Sequence, residues 1–239
     1  MTGKNVLIIG ASGDIGIAIA ERLAMDGYNI LLHYNQNRQK IDALREKLSA
    51  ETILSVIQAD LSRSDEIRHF LTKLVLPVDH VVFAGGSAHY GLFQDTAEDV
   101  MDNMLTLHVK APWMISKYLL PSMIQRKRGK IILITSIWGN TGASFEVIYS
   151  SVKGAQNSFV KALAKEAAPS GISVNAISPG FIDTKMNGHL TDEERQTIVG
   201  EIPLNRAGLP SEVAHSVSFL LDERSSYIQG EIINITGGW

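Results

Sequence analysis

Val6-Leu7-Ile8-Ile9-Gly10-Ala11-Ser12-Gly13-Asp14-Ile15-Gly16 decides how the rest of this sequence is read. The unbroken apolar run Val6 to Ile9 makes a short strand covered on both faces, and Gly10 ends it. Gly10 permits a tight turn, Gly13 lets backbone approach a ligand closely, and Gly16 lets a helix pack tightly on the strand. Over residues 15–25 apolar side chains recur at helical spacing, so the turn feeds a helix. The first N–H groups of that helix lack intrahelical partners and carry partial positive charge, which suits a phosphate. Strand, glycine turn and helix in this order predict a dinucleotide-binding unit, whereas glycines alone mark only a turn.

The same alternation runs to the carboxyl end. Further strands are predicted at residues 28–33, 53–57, 78–83, 130–135, 172–177 and 232–235. Helices are predicted at 38–50, around 67–74, from about 97, from about 112, at 149–168 and at 212–221. Continuous Val/Ile/Leu runs indicate strands buried on both faces, and alternation with helices makes the sheet parallel and doubly wound. The predicted fold is therefore α/β, a Rossmann-type parallel sheet with helices on both faces. Residues 1–239 contain no linker or repeat and read as one domain. The least regular stretch, 181–208, contains a capping-box signature, Thr191 with Glu194, and is expected to form a lid over the ligand.

Composition narrows the function. The 239 residues are 45% hydrophobic, and the net charge is −3, without the basic excess of a nucleic-acid or anionic-membrane binder. Arg126-Lys127-Arg128 is the one tight basic cluster, a solvated turn or a docking point for an acidic partner. Cysteine is absent, which excludes disulfides, thiolate metal sites and thiol catalysis. No run approaches the ~18 apolar residues of a membrane span. Met1-Thr2-Gly3-Lys4 leads straight into a strand without a signal-like segment, so a cytoplasmic location is expected. The seven histidines form no i, i+4 ligand pair, so no metal site is predicted.

The second strand ends His33-Tyr34-Asn35-Gln36-Asn37-Arg38, with no carboxylate for the adenosine ribose hydroxyls. Asn35 and Arg38 suit a 2′-phosphate instead, which favours NADP(H) over NAD(H). Asp60 is read either as an acceptor for the adenine amine or as a cap for the helix near Ser62.

Ser136 follows the fifth strand, Tyr149 lies thirteen residues on, and Lys153 four further. Side chains at i and i+4 share a helix face, and residues after strand ends line the ligand crevice, so the three can meet. Reduction of a ketone places charge on its oxygen and needs a proton. Tyrosine, with a pKa of about 10, is a reluctant acid–base group that a nearby ammonium would tune downward. Ser136 is expected to bond the substrate oxygen, Tyr149 to protonate it, and Lys153 to lower the phenol pKa and hold the nicotinamide ribose.

These residues resemble the short-chain dehydrogenase/reductase family in its single-domain branch, along essentially the whole chain. Tyr149-Ser-Ser-Val-Lys153 is similar to the family's Tyr-x-x-x-Lys. Asn175-Ala-Ile-Ser-Pro179-Gly180 resembles its segment after the sixth strand, and Tyr227-Ile-Gln-Gly230 with Gly237-Gly238 its carboxyl-terminal segment. The resemblance implies cofactor contacts from Gly10, Ser12, Gly13, Asp14, Ile15, Gly16, Asp60, Leu61, Ala84, Gly85, Tyr149, Lys153, Pro179, Gly180, Ile182 and Thr184, beside Asn35 and Arg38. It implies pairing into a homodimer or homotetramer through the helices holding residues 101–123 and 149–168 and through the carboxyl-terminal strand. Trp113, Tyr118, Phe159 and Trp239 are apolar candidates for that surface.

Several positions depart from the family. Asp14 stands where a glycine is usual, and Phe83-Ala84-Gly85-Gly86 replaces Asn-Asn-Ala-Gly. His108 replaces the fourth catalytic residue, an asparagine that anchors a water; it either relays protons or fills a helix kink. Lys127 matches one basic carrier-docking position, but Ser170 stands at the other. The closest likeness is to β-ketoacyl-acyl-carrier-protein reductases, which implies NADPH-dependent reduction of a 3-oxoacyl-type carbonyl, small or carrier-bound. The departures also fit a relative that reduces the 5-aminopentanone group on a lysine of elongation factor P. A reading of another class is a nucleotide-binding regulator without catalysis.

Overall fold

A computed structural model describes residues 3–188 and 190–239. Met1-Thr2 of the amino-terminal reading and His189 of the seven histidines lie outside it. Seven parallel strands form one sheet in the order β3-β2-β1-β4-β5-β6-β7. They are β1 Asn5–Ile9, β2 Asn29–Tyr34, β3 Ile53–Gln58, β4 His80–Phe83, β5 Gly129–Ile134, β6 Ile172–Pro179 and β7 Ile232–Ile235. The chain starts in the middle, winds out to β3, and returns across β1 to the other side. That reversal between β1 and β4 leaves a crevice outside their carboxyl ends, the place where doubly wound sheets take ligands.

The helices are α1 Asp14–Met25, α2 Arg38–Lys47, α3 Ser64–Lys73, α4 Glu98–Leu105, α5 Ala111–Arg126, α6 Trp138–Thr141, α7 Val147–Ala167, α8 Asp192–Glu201 and α9 Pro210–Leu221. On one face of the sheet Leu7, Val81, Ile131 and Val174 pack with Ile67, Phe70, Ile115 and Val160 from the helices. On the other, Val6, Ile8, Ile30 and Ile132 pack with Ile19, Leu23, Val213 and Val217. Successive strand residues point to opposite faces, so both sets must be apolar, and this is what the continuous strand sequences record.

Several predicted boundaries move. The helix expected over 38–50 stops at Lys47 because Leu48 turns extended. The helices expected from about 97 and 112 are one continuous rod, α4 and α5 joined by a π-helical turn, Thr106–Lys110. Helix α7 begins at Val147, before Tyr149. Strand β5 ends at Ile134, so Ser136 lies in the loop beyond it. The capping box at Thr191 is present in both directions. The Arg126-Lys127-Arg128 run is the turn that leaves α5: Lys127 takes φ 51, and Arg126 and Arg128 both pair with Asp79. Among the described residues no helix is long and apolar enough to cross a membrane.

Candidate active site

The glycine turn is held by contacts that only glycine tolerates. Gly10 takes φ +80, and a Cβ there would lie 2.3 Å from the Cα of Gly85, in the turn after β4. A Cβ on Gly16 would lie 2.2 Å from the Gly10 carbonyl. A Cβ on Gly13 would meet nothing closer than 3.4 Å, so the turn stays open on its outer side. No side chain caps α1 at Gly13, which leaves the first-turn N–H groups to a ligand. A phosphate therefore fits this turn on backbone grounds alone.

His33 braces the turn from behind. Its Nδ1 accepts from the Gly10 N–H at 3.2 Å, and its Nε2 donates to the Ala59 carbonyl at 3.0 Å, so β1, β2 and β3 are tied at their carboxyl ends. Burial pushes its pKa down to about 4, which keeps the ring neutral and its acceptor free for Gly10. Periodicity marks His33 only as a strand end; its role depends on a residue of a third strand.

The adenosine end is less ready-made. Arg38 lies on the surface and bonds Asp42 and the Tyr34 hydroxyl, and the Asn35 carbonyl accepts from Gln58. Asp60 Oδ1 accepts from both the N–H and the hydroxyl of Ser62. Asp60 does not cap α3, whose N-cap is Arg63. The Leu61 side chain is buried in the core, which leaves only its backbone to a ligand. Asp14 is bonded by Lys40 and by the Lys185 N–H.

At the nicotinamide end a cavity of about 450 Å³ opens between the carboxyl edge of the sheet and the segment after β6. Ile15, Ala84, Gly85, Pro179, Gly180, Ile182 and Thr184 line it, together with Ser136, Tyr149, Lys153 and His108. The Ser136 hydroxyl lies near enough to the Tyr149 phenol to favour its ionised form and accepts from the Trp138 N–H at 3.2 Å. Lys153, one helical turn beyond Tyr149, sends its ammonium beneath the ring, 5.5 Å from the ring centre.

Burial dominates the electrostatics of the pair. Lys153 Nζ donates to the Ile134 carbonyl at 2.9 Å. Burial pushes Tyr149 up to about 12, against the effect of the Ser136 hydroxyl, and the nearby Glu146 carboxylate raises it further. Burial pushes Lys153 down to about 7. The site thus holds a protonated phenol beside an amine poised between charged and neutral.

His108 occupies the π turn and is completely buried. Its Nε2 lies 2.9 Å from the Ser87 carbonyl, its ring meets Tyr149 edge-on at 5.8 Å, and Nδ1 has no partner. Its pKa is pushed down to about 3, by burial first and by Lys153 second, so it is neutral and cannot carry protons as a cation near neutral pH. The carbonyl of His108 accepts from Gln156 Nε2 at 2.7 Å. Tyr90, Trp138 and Trp239 complete the outer wall, with Trp138 and Trp239 edge to face at 5.2 Å. Trp239 is thus part of this cavity and not the free apolar surface expected of it. Phe159 packs on the core, whereas Trp113 and Tyr118 remain about half exposed.

A doubly wound sheet whose crevice combines a phosphate-ready turn with such a cavity is the architecture of NAD(P)-dependent oxidoreductases. The family profile described as "Enoyl-(Acyl carrier protein) reductase" matches residues 10–239. The chain is 48% identical over 238 residues to "Uncharacterized oxidoreductase YmfI" of Bacillus subtilis (strain 168), covering 99% of this chain and 98% of that one. It is 32% identical to "3-oxoacyl-[acyl-carrier-protein] reductase FabG" of Staphylococcus epidermidis, covering 98% of each. A crystal structure of a 3-oxoacyl (acyl-carrier-protein) reductase from Agrobacterium tumefaciens C58 with NADP bound superposes with a TM-score of 0.92 at 26% identity, covering 99% of this chain and 94% of that one. The chain belongs to the short-chain dehydrogenase/reductase family of NAD(P)-dependent oxidoreductases.

Proposed function

We propose that this protein is an NADPH-dependent carbonyl reductase that converts a ketone to a secondary alcohol. The observation that carries the reading is that Ser136, Tyr149 and Lys153 line one cavity, with Lys153 Nζ 5.5 Å from the centre of the Tyr149 ring. Backbone N–H groups of residues 12–16 hold the pyrophosphate, Asn35 and Arg38 the 2′-phosphate, and Pro179, Gly180, Ile182 and Thr184 the nicotinamide side. Arg38 carries an exposed i, i+4 pair with Asp42, weak enough to yield to a phosphate. Bound NADPH supplies the hydride.

The chain's own groups do the rest. Ser136 donates a hydrogen bond to the ketone oxygen and holds it beside the phenol. Tyr149, protonated because burial raises it, gives its proton to that oxygen as charge develops there. Lys153 in its charged form steadies the phenolate left behind, and Ile134 keeps the ammonium in place. The neutral ring of His108 walls the phenol on its inner side. As two or four copies, the protein pairs through α4–α5 and α7.

Two substrate classes follow. The named relatives support a 3-oxoacyl thioester. One observation favours the second, the 5-aminopentanone group on elongation factor P. Apart from Lys153, the charged residues of the cavity wall are the carboxylates Glu146 and Glu194, set among Tyr90, Trp138 and Trp239. An acidic, aromatic wall suits an ammonium better than a phosphopantetheine phosphate. NADPH consumption with acetoacetyl thioesters and simple ketones, in wild type and Tyr149→Phe, tests the shared chemistry; undiminished rates in the variant rule out the phenol as acid. Mass spectrometry of elongation factor P from a strain lacking this protein separates the substrates. The second class predicts a modification lighter by the hydride and proton, and an unchanged mass rejects it. Tight NADPH binding with no turnover on any ketone would leave only a nucleotide-binding regulator.

A further inference from the structure

Asp14 stands where the family's turn usually has glycine, and its carboxylate joins three segments that the cofactor reading assigns to the dinucleotide. One oxygen accepts from the Lys40 ammonium at 2.5 Å. The other accepts from the backbone N–H of Lys185 at 2.7 Å. Lys40 lies in the first turn of α2, just beyond Asn35 and Arg38. Lys185 opens a short 3-10 turn, Lys185–Asn187, directly after Thr184. The two side chains of the ion pair are only 24% and 22% exposed, so the pair is partly shielded from water.

Several bonds at the base of the 181–208 segment join it to itself. Asp183 N–H donates to the Gly208 carbonyl, Gly208 N–H to the Phe181 carbonyl, and Asn187 Nδ2 to the Ile182 carbonyl. The Asp14 bond reaches instead to the opposite wall of the crevice, the first turn of α1. In this fold that turn is where the pyrophosphate rests. A bare carboxylate there would repel a phosphate, and the Lys40 ammonium offsets its charge. A glycine at position 14 makes neither bond.

We propose that Asp14 is a positioning residue, a strap that ties the lid to α1 across the crevice and slows release of NADPH. The proposal rests on the cofactor reading above. It makes the second arm, Lys40, part of the same device: the ammonium holds the carboxylate in the orientation that meets Lys185.

Two measurements test it. Hydrogen exchange on the protein without added nucleotide reads the strap itself: the Lys185 amide is protected in wild type and exchanges faster in Asp14→Gly. Stopped-flow displacement of NADPH by excess NADP+ reads the consequence. Losing a hydrogen bond to a charged group speeds release about tenfold in Asp14→Gly. Asp14→Asn, which keeps an acceptor for Lys185 and loses the ion pair, falls between the two, and Lys40→Ala releases faster than wild type. The graded order distinguishes a strap from simple damage to the turn, and the asparagine variant serves if the glycine variant does not fold. Equal release from wild type and Asp14→Gly (or Asp14→Ala, if the glycine variant does not fold), together with an unchanged Lys185 amide in that variant, overturns the strap and leaves the cofactor reading standing. Failure of the wild type to bind NADPH overturns both, while the exchange experiment still reports whether the bond exists.

Discussion

On one face of α7 burial acts in opposite directions on two neighbours. It raises the Tyr149 phenol to about 12 and lowers the Lys153 amine to about 7, because each is pushed toward its neutral form. A neutral phenol is a proton donor, which suits reduction. The amine has a stability consequence with a definite sign. Its pKa falls from 10.5 in the open chain to about 7 in the fold, so between those values the unfolded chain binds the extra proton. Stability gained from this group therefore rises as pH rises from about 7 to about 10.5. Thermal denaturation of wild type and Lys153→Met over that range should show wild type gaining on the variant; parallel curves would place the ammonium in water. His108 works at the acid end. Its pKa falls from 6.5 to about 3, so stability is lost as pH drops below 6.5. His108→Asn should unfold at lower pH than wild type in an acid titration followed by circular dichroism. At this scale Ser136, Tyr149 and Lys153 were legible because their spacing alone puts them in one crevice. The partners of Asp14 and His33 were not, since each bond joins residues from separate βα units.

Elements carry these groups to their places. Strand positions were readable because a sheet covered on both faces needs unbroken apolar runs. The joint of α4 and α5 was not: a π turn carries no residue signature of its own and is recognised from the hydrogen bonds it changes. That joint is where His108 enters the site. Helix α8 borders the same cavity through Glu194, Thr197 and Ile198, and Thr191 closes its first turn. Removing the cap costs such a helix about 1 kcal/mol. Thr191→Ala is therefore expected to raise KM for the ketone more than it lowers kcat, as read in steady-state assays at saturating NADPH. The turn between β1 and α1 tolerates less. A Cβ at position 16 would sit on the Gly10 carbonyl, so Gly16→Ala should lower stability by about 3 kcal/mol in urea denaturation and abolish NADPH binding.

For the molecule as a whole, the parallel, doubly wound sheet was foreseeable from alternation, whereas Trp239 was misplaced as a surface residue. Its ring is brought to Trp138 by the path of the chain after β7, a feature no local pattern encodes. Of the residues expected at a pairing surface, Trp113 on α5, tilted against Phe159 of α7, and Tyr118 are about half exposed. Sedimentation should show two or four copies in wild type and a shift toward single chains in Trp113→Glu.

Deuteride transfer measures the core of the account. With (4,4-²H₂)NADPH and a ketone substrate in a single turnover, wild type should yield an alcohol carrying deuterium on the former carbonyl carbon, and Tyr149→Phe, still binding NADPH, should do so about 10³-fold more slowly. Transfer at the wild-type rate by the phenylalanine variant would contradict the assignment of that phenol as the proton source.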